Sequence, residues 1–392
     1  MAVLAHPVRP DRPGRSGPSV GGIRPGARRP ALRPLGPQWY APVMGTAIVA
    51  TAGAALPPAP PGPRPLWVAV WALSAVALAA VLGARAGHWL HHRDQARAHL
   101  LDPAVAPFYG CPPMALLAVG AATLAVGRDV LGEGAALAVA AVLFGAGTLL
   151  ALVVAVGIPY LMVVRHRPAL RDASPVWLLP LVAPMVSAAV GPSLVPYLPA
   201  GQGRAALLYG CYALFGLSLL ATLTMLPLVL ARLVSHGPPP LALTPALFLV
   251  LGPLGQSTTA VGRLADMAPS AVGAPYAGAL SAFAVVYGVP VTGFALLWLA
   301  LAAALVVRAV RRGMRFTMTW WAFTFPVGTC VTGAAGLAAH TGLTAFAWLA
   351  AALFVVLVTA WAVAAWGTVR GLLGGSLPGA PGTPVPEPVR AG

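Results

Sequence analysis

The side chains able to do chemistry are few, and they sit at the edges of apolar segments. All eight acidic residues (Asp11, Asp94, Asp102, Asp129, Glu133, Asp172, Asp266 and Glu387) fall in tails, connections or helix ends, so no membrane-length apolar run carries a carboxylate in its middle. Ionisable groups inside a bilayer mark proton relays and cation sites. Without them, a path through this chain would offer a solute only hydroxyls, helix ends and backbone dipoles, a surrounding that suits an anion. His88, His91, His92 and His99, with Asp94 and Asp102, crowd one connection and could ligate a metal. No fixed Cys/His or helical spacing picks out four ligands there, however, and a solvated loop is the simpler reading. Cys111, Cys211 and Cys330 also lack metal-ligand spacing and read as buried small hydrophobes. Serine, histidine and acidic residues never form a triad within an apolar run, and no phosphate-binding glycine loop follows a strand. No catalytic, metal or cofactor site is therefore expected.

The polar chemistry that does enter the apolar runs recurs. Pro42, Pro113, Pro184, Pro253 and Pro326 are separated by 71, 71, 69 and 73 residues, and small or hydroxyl-bearing residues cluster around each, among them Thr46, Ser187, Ser257, Thr258 and Thr329. Intervals this even are a repeat signature. A proline inside a membrane helix deletes one backbone hydrogen bond and bends the axis, and the freed carbonyl is tolerated where it faces protein or a water-filled cavity. Pro42, Thr46, Pro113, Pro184, Pro253, Ser257, Thr258, Pro326 and Thr329 are accordingly expected to line a path.

Elements long enough to position these residues follow from composition. Hydrophobic residues make up 59% of the 392 positions and charged residues 8%, a balance that no water-soluble surface accommodates. In hydrocarbon, backbone groups must be satisfied within their own segment, so the continuous apolar runs are helices, and their lack of alternation excludes a β-barrel. Ten runs occur, at about 40–57, 66–84, 110–127, 135–160, 175–191, 205–231, 241–262, 276–307, 319–339 and 343–367. The repeated prolines occupy the odd-numbered runs. The even runs are plainer Ala, Val and Leu, with Pro290 in the eighth as the clearest exception. The expected architecture is an all-α membrane protein of ten transmembrane helices, arranged as five helical hairpins around a central pore with odd helices inside. Residues 37–370 form this domain, flanked by disordered cytoplasmic tails at 1–36 and 371–392. Every basic residue other than histidine is an arginine, and the arginines are not gathered into a nucleic-acid-binding stripe. Only Arg64, Arg128, Arg204 and Arg263 fall in connections after odd runs, and the other twenty lie in tails or in connections after even runs. Positive flanks stay inside, so both termini are expected in the cytoplasm. The absence of lysine beside abundant Ala, Gly and Pro has the look of a GC-rich genome, which points to a bacterial inner membrane.

Four strings resemble one family, the tellurite-resistance and dicarboxylate transporters, which include yeast malate and sulfite transporters and plant guard-cell slow anion channels. They are Pro37-Gln38-Trp39-Tyr40-Ala41-Pro42-Val43-Met44-Gly45-Thr46, Phe108-Tyr109-Gly110-Cys111-Pro112-Pro113-Met114, Gly252-Pro253-Leu254-Gly255-Gln256-Ser257 and Trp320-Trp321-Ala322-Phe323-Thr324-Phe325-Pro326, in that order along residues 37–370. The resemblance implies a ten-helix fold, commonly a homotrimer, with a pore through each protomer and small anions as cargo. It also implies a phenylalanine plug in the ninth span, which by motif match is Phe325, with Phe323 as second choice. Asp102-Pro103 departs from the family's pattern, which has His-Pro at that place. The expected function is transport of a C4-dicarboxylate such as malate, or of sulfite, through a phenylalanine-gated pore. The alternatives are a chloride or nitrate channel and, with less support, a membrane-embedded enzyme or scaffold.

Overall fold

The structure, a computed structural model, describes residues 35–56 and 64–374 together with Leu377. Nearly all of the two expected tails lies outside the described residues. Every regular element among them is helical. Nine helical spans are long and apolar enough to cross a bilayer: α2 (Arg64–His91), α3 (Ala106–Leu131), α4 (Glu133–His166), α5 (Pro175–Tyr197), α6 (Gln202–His236), α7 (Leu241–Ser270), α8 (Ala274–Arg311), α9 (Met318–Thr341) and α10 (Thr344–Leu373). They follow α1 (Tyr40–Ala55), which has 16 residues. At about 1.5 Å per residue α1 reaches only about 24 Å, less than a hydrocarbon core of about 30 Å. The expected ten full spans are thus nine long ones and a shorter first one.

Odd and even spans are built differently. Each odd span opens with 3₁₀ turns (Pro37–Trp39, Ala106–Gly110, Pro175–Trp177, Leu241–Val250 and Met318–Phe323) before turning α-helical. Pro42, Pro113, Pro253 and Pro326 fall in the first turn of the α-helical part. First-turn N–H groups have no partner within the helix, so these prolines start helices instead of bending them. Of the five repeated prolines, Pro184 alone stands in the interior of an α-helical part. The even spans are continuous over most of their length, and the prolines inside them are Pro159, Pro227 and Pro290.

Burial separates the two sets. The most apolar stretches of α3, α5, α7 and α9 are 61–94% buried, whereas those of α2, α4, α6, α8 and α10 are 17–22% buried. Each odd helix packs on the even helix that follows it, and α1, α3, α5, α7 and α9 also pack on one another in sequence, with α9 returning to α1 to close a ring. Even helices therefore present Leu and Val to lipid, such as Leu149 at 67% and Val286 at 73% exposure. A close approach within the ring needs glycine: a Cβ on Gly255 of α7 would stand 2.5 Å from the backbone nitrogen of Cys330 on α9.

The histidine-rich connection is largely solvated, as expected, with His91, Arg93, Asp94, Arg97 and Asp102 exposed, but it is not a loop. It forms a short helix, Arg93–Leu101, against the end of α2, with His88 and His92 buried and the His88 and His99 rings stacked at 5.4 Å. Arg85, itself buried, fastens this corner by donating to the Leu35 carbonyl (2.6 Å) and the Tyr109 hydroxyl (3.3 Å).

Candidate anion pathway

Two cavities lie inside the ring of odd helices, and the same five helices line both. Met44 and Ile48 on α1, Cys111 and Ala118 on α3, Leu179 and Val186 on α5, Leu249 and Gln256 on α7, and Ala322 and Phe325 on α9 each place the earlier residue in the first cavity and the later one in the second. Spacings of three, four or seven residues return to one face of a helix, so each helix turns a single face to the axis. The Phe325 ring, 3% exposed, lines the second cavity one helical turn beyond Ala322, which lines the first. On α7 the corresponding level is Gly252, a buried glycine at which an added Cβ would meet no atom within 4 Å.

The two cavities differ in chemistry. The first, about 240 Å³, is walled by Met44, Cys111, Leu179, Leu249 and Trp321, with Gln38 and Thr319 as its polar side chains. The second, about 250 Å³, carries Thr51, Ser193, Tyr197, Gln256, Thr259 and Thr332, and adds the guanidinium groups of Arg128 and Arg263. Among the described residues no carboxylate lines either one. The acids around the second are engaged: Asp129 is clasped by Arg64 (Nε to Oδ2, 2.6 Å; Nη2 to Oδ1, 2.9 Å), Asp266 faces His340 at 3.3 Å, and Glu133 accepts from the Tyr197 hydroxyl of the cavity wall at 3.3 Å. Arg263, and Arg128 beside Asp129, bring positive charge to the cavity, which favours an anion. Thr259 ties α7 to α9 across this wall, its hydroxyl 2.7 Å from that of Thr332 and 3.2 Å from the Thr329 carbonyl.

Of the residues expected to line a path, Phe325 alone reaches these cavities. Thr46 faces α10, donating to the Pro42 carbonyl (2.7 Å) and accepting from the Trp361 indole (3.1 Å). Pro42, Pro113, Pro184 and Pro326 line neither cavity, and Thr329 is fully buried, its hydroxyl on the Pro326 carbonyl at 2.7 Å. Pro253 and Ser257 line a separate cavity on the lipid side of α7, while Thr258 turns toward α8. Both hydroxyls, Ser257 and Thr258, are spent on the Leu254 carbonyl. Phe323 packs edge-on against Phe248, 4.7 Å between centroids, and borders α10. The physical reason is register. Nearness to the repeated proline gives depth along the span but not face, and at about 100° per residue Ser257 and Thr258 turn away from the axis that Gln256 and Thr259 face. Gln256, an amide within an apolar span, and the pair Arg128 and Arg263 were the signals in the sequence that pointed to the axial face.

An inner ring of helices sheathed by lipid-facing ones, around cavities free of carboxylates and carrying arginines on one side, defines a multi-pass membrane protein for anions. The chain belongs to the family described as SLAC1, voltage-dependent anion channel, which it matches over residues 34–369. Members of this family are transporters and channels, not enzymes. Among its relatives is the sulfite efflux pump SSU1 of Trichophyton rubrum, 28% identical over 311 residues, spanning 77% of this chain and 81% of that protein. The protein of the same name from Arthroderma otae is 26% identical over 340 residues, 84% of this chain and 89% of the other. The uncharacterized transporter MJ0576 of Methanocaldococcus jannaschii is 24% identical over 297 residues, 75% and 81% of the two chains.

Proposed function

We propose that this chain moves a small single-centre oxyanion, sulfite foremost, along the axis of the protomer, with Phe325 as the gate. The observation that carries the reading is the pair of cavities that follow one another along the same five helices, the arginine-bearing one lined by Phe325 and the apolar one by Ala322 a turn away. An anion gathered by Arg128 and Arg263 can exchange water for the Gln256 amide and the Thr259 and Thr332 hydroxyls before meeting a ring that supplies no hydrogen bond. The apolar cavity favours sulfite over malate. A four-carbon dianion would bring a second carboxylate into walls that hold no cation, whereas a single-centre anion brings one charge cluster. The sulfite efflux pumps among the relatives agree with this choice. Both termini are placed in the cytoplasm of a bacterial inner membrane, on the strength of the arginine distribution and the composition. A homotrimer is assigned from the family resemblance. The test is flux of sulfite, malate, chloride and nitrate through the purified protein in liposomes. Sulfite should run fastest; malate outrunning sulfite would overturn the cargo assignment, and flux of none of them would overturn transport along this axis.

A further inference from the structure

A third cavity, of about 280 Å³, lies on the lipid side of the ring, behind α7. It opens between α6 and α8, which both pack on α7 and scarcely on each other. Leu223, Pro290 and Phe294, all exposed at the surface that faces lipid, form its mouth. Above it the gap is closed by the rings of Phe215, Phe283 and Tyr287, with centroids 5.2–6.2 Å apart.

The floor is polar in a way its own protein does not resolve. Thr222 is 3% exposed, and its hydroxyl bonds to none of the described residues. A threonine in a helix ordinarily gives its proton to a carbonyl three or four residues back, as Thr224 does to Ala221. Ser257, 1% exposed, donates to the Leu254 carbonyl and keeps its oxygen free to accept. The Tyr287 hydroxyl lies beside Ser257 without a hydrogen bond of normal geometry among the described residues. Three hydroxyl-bearing residues thus line one cavity whose walls are otherwise hydrocarbon and which opens to the bilayer. A buried hydroxyl without a partner is unfavourable, and the site selects what could serve as one. Among the described residues no cation or carboxylate lines the cavity, so a charged headgroup resting there would find no counter-charge. A saturated acyl chain would fill the volume but leave the hydroxyls unmet.

We propose that this crevice binds a small neutral amphiphile dissolved in the bilayer, of the medium-chain alcohol class, with its hydroxyl on Thr222, Ser257 and Tyr287 and its alkyl part between Leu223 and Phe294. The occupant would press on the back of the helix whose opposite face carries Gln256 and Thr259. Binding itself does not depend on the transport reading.

The test uses the full chain in liposomes with a photoreactive octanol analogue, the adducts being mapped by mass spectrometry. Labelling should saturate at residues around the crevice, fall when unlabelled octanol is added, and disappear in Leu223→Trp, which blocks the mouth from the lipid side. Thr222→Val keeps the shape and removes the hydroxyl; apparent octanol affinity should then drop about fivefold, the loss of roughly one neutral hydrogen bond. Adducts spread evenly over lipid-facing positions such as Leu149, Leu220 and Val286, with no competition, would overturn the proposal. So would competition that is undiminished in Thr222→Val, because the hydroxyls would then play no part. Labelling needs no flux, so this result stands or falls apart from the cargo assignment.

Discussion

Truncating Phe325 separates a gate from a core residue by the sign of one measurement. Replacing a buried phenylalanine by alanine costs about 3–5 kcal/mol where the site cannot collapse, because lost transfer energy is joined by the cost of a sealed void. The Phe325 side chain lines a cavity of about 250 Å³, so the vacated space joins existing space and no sealed void forms. What remains is the transfer part, about 1.5–3 kcal/mol for a fully buried ring. The effect on flux runs the other way. An anion passing the ring gives up hydrogen bonds without replacement, a loss of about 2–7 kcal/mol for a polar group in apolar surroundings. Widening and wetting the constriction to recover even 1.4 kcal/mol raises the rate about tenfold. Phe325→Ala should therefore raise sulfite flux at least about tenfold in liposomes at equal protein content, with a modest fall in Tm. Phe323→Ala is the register control: that ring packs on Phe248 and borders α10, so its loss should lower Tm and leave flux alone. If Phe325→Ala loses the full stability of a sealed core site and flux does not rise, the ring is packing and the gate assignment is wrong.

Three further outcomes are expected. Arg128→Gln and Arg263→Gln should each raise the KM for sulfite at low ionic strength, by up to about tenfold, with the difference shrinking as salt is added; a salt-independent KM would refute capture by these groups. Cysteines at Glu133, Gln202 and Ala274, all exposed, should react with an impermeant thiol reagent on intact cells, and those at His236 and Arg312 should not; the reverse pattern inverts the orientation. His99, on the helix Arg93–Leu101, is held down to about 4, first by burial and then by His88 and Arg85, against an upward pull from Asp102. Because the folded protein resists this protonation and the unfolded chain takes it up near 6.5, stability present above pH 6.5 should be lost as pH falls toward 4; His99→Gln should flatten that decline in a Tm-versus-pH curve.

The membrane class and helical content were legible in the sequence because bilayer physics leaves few solutions for long apolar runs. Alternation of inner and outer helices was legible too, since odd runs carry the hydroxyls, glycines and prolines that lipid-facing surface does not need. The short first helix was harder to see: Leu56 to Gly62 continue as apolar or small residues, and it is the prolines at 57, 58, 60 and 61 that mark its end. The helical form of the histidine-rich connection is not visible in composition, because it depends on distant contacts such as the Tyr109 hydroxyl, which accepts from Arg85 and donates to the Ala96 carbonyl.

The site was less legible, and the cause lies in what the seventy-residue repeat encodes. Four of the five repeated prolines, Pro42, Pro113, Pro253 and Pro326, mark the passage from 3₁₀ turns to α-helix, a junction that sets where the helix starts and how the span is phased. Residues near the junction share its depth, which is why Thr46, Ser257, Thr258 and Thr329 all read alike on paper. Their faces differ, and each is satisfied by a carbonyl of its own helix. Residues that do face the axis are set by the heptad-like return from the junction: Leu249, Gly252, Gln256, Thr259 and Arg263 follow one another along α7 at spacings of three or four. That stripe runs from apolar through glycine and amide to hydroxyl and guanidinium. Read along the face and not by depth, it gives an anion a graded exchange of ligands up to the level of Phe325, where α9 contributes a ring and α7 contributes no side chain at all.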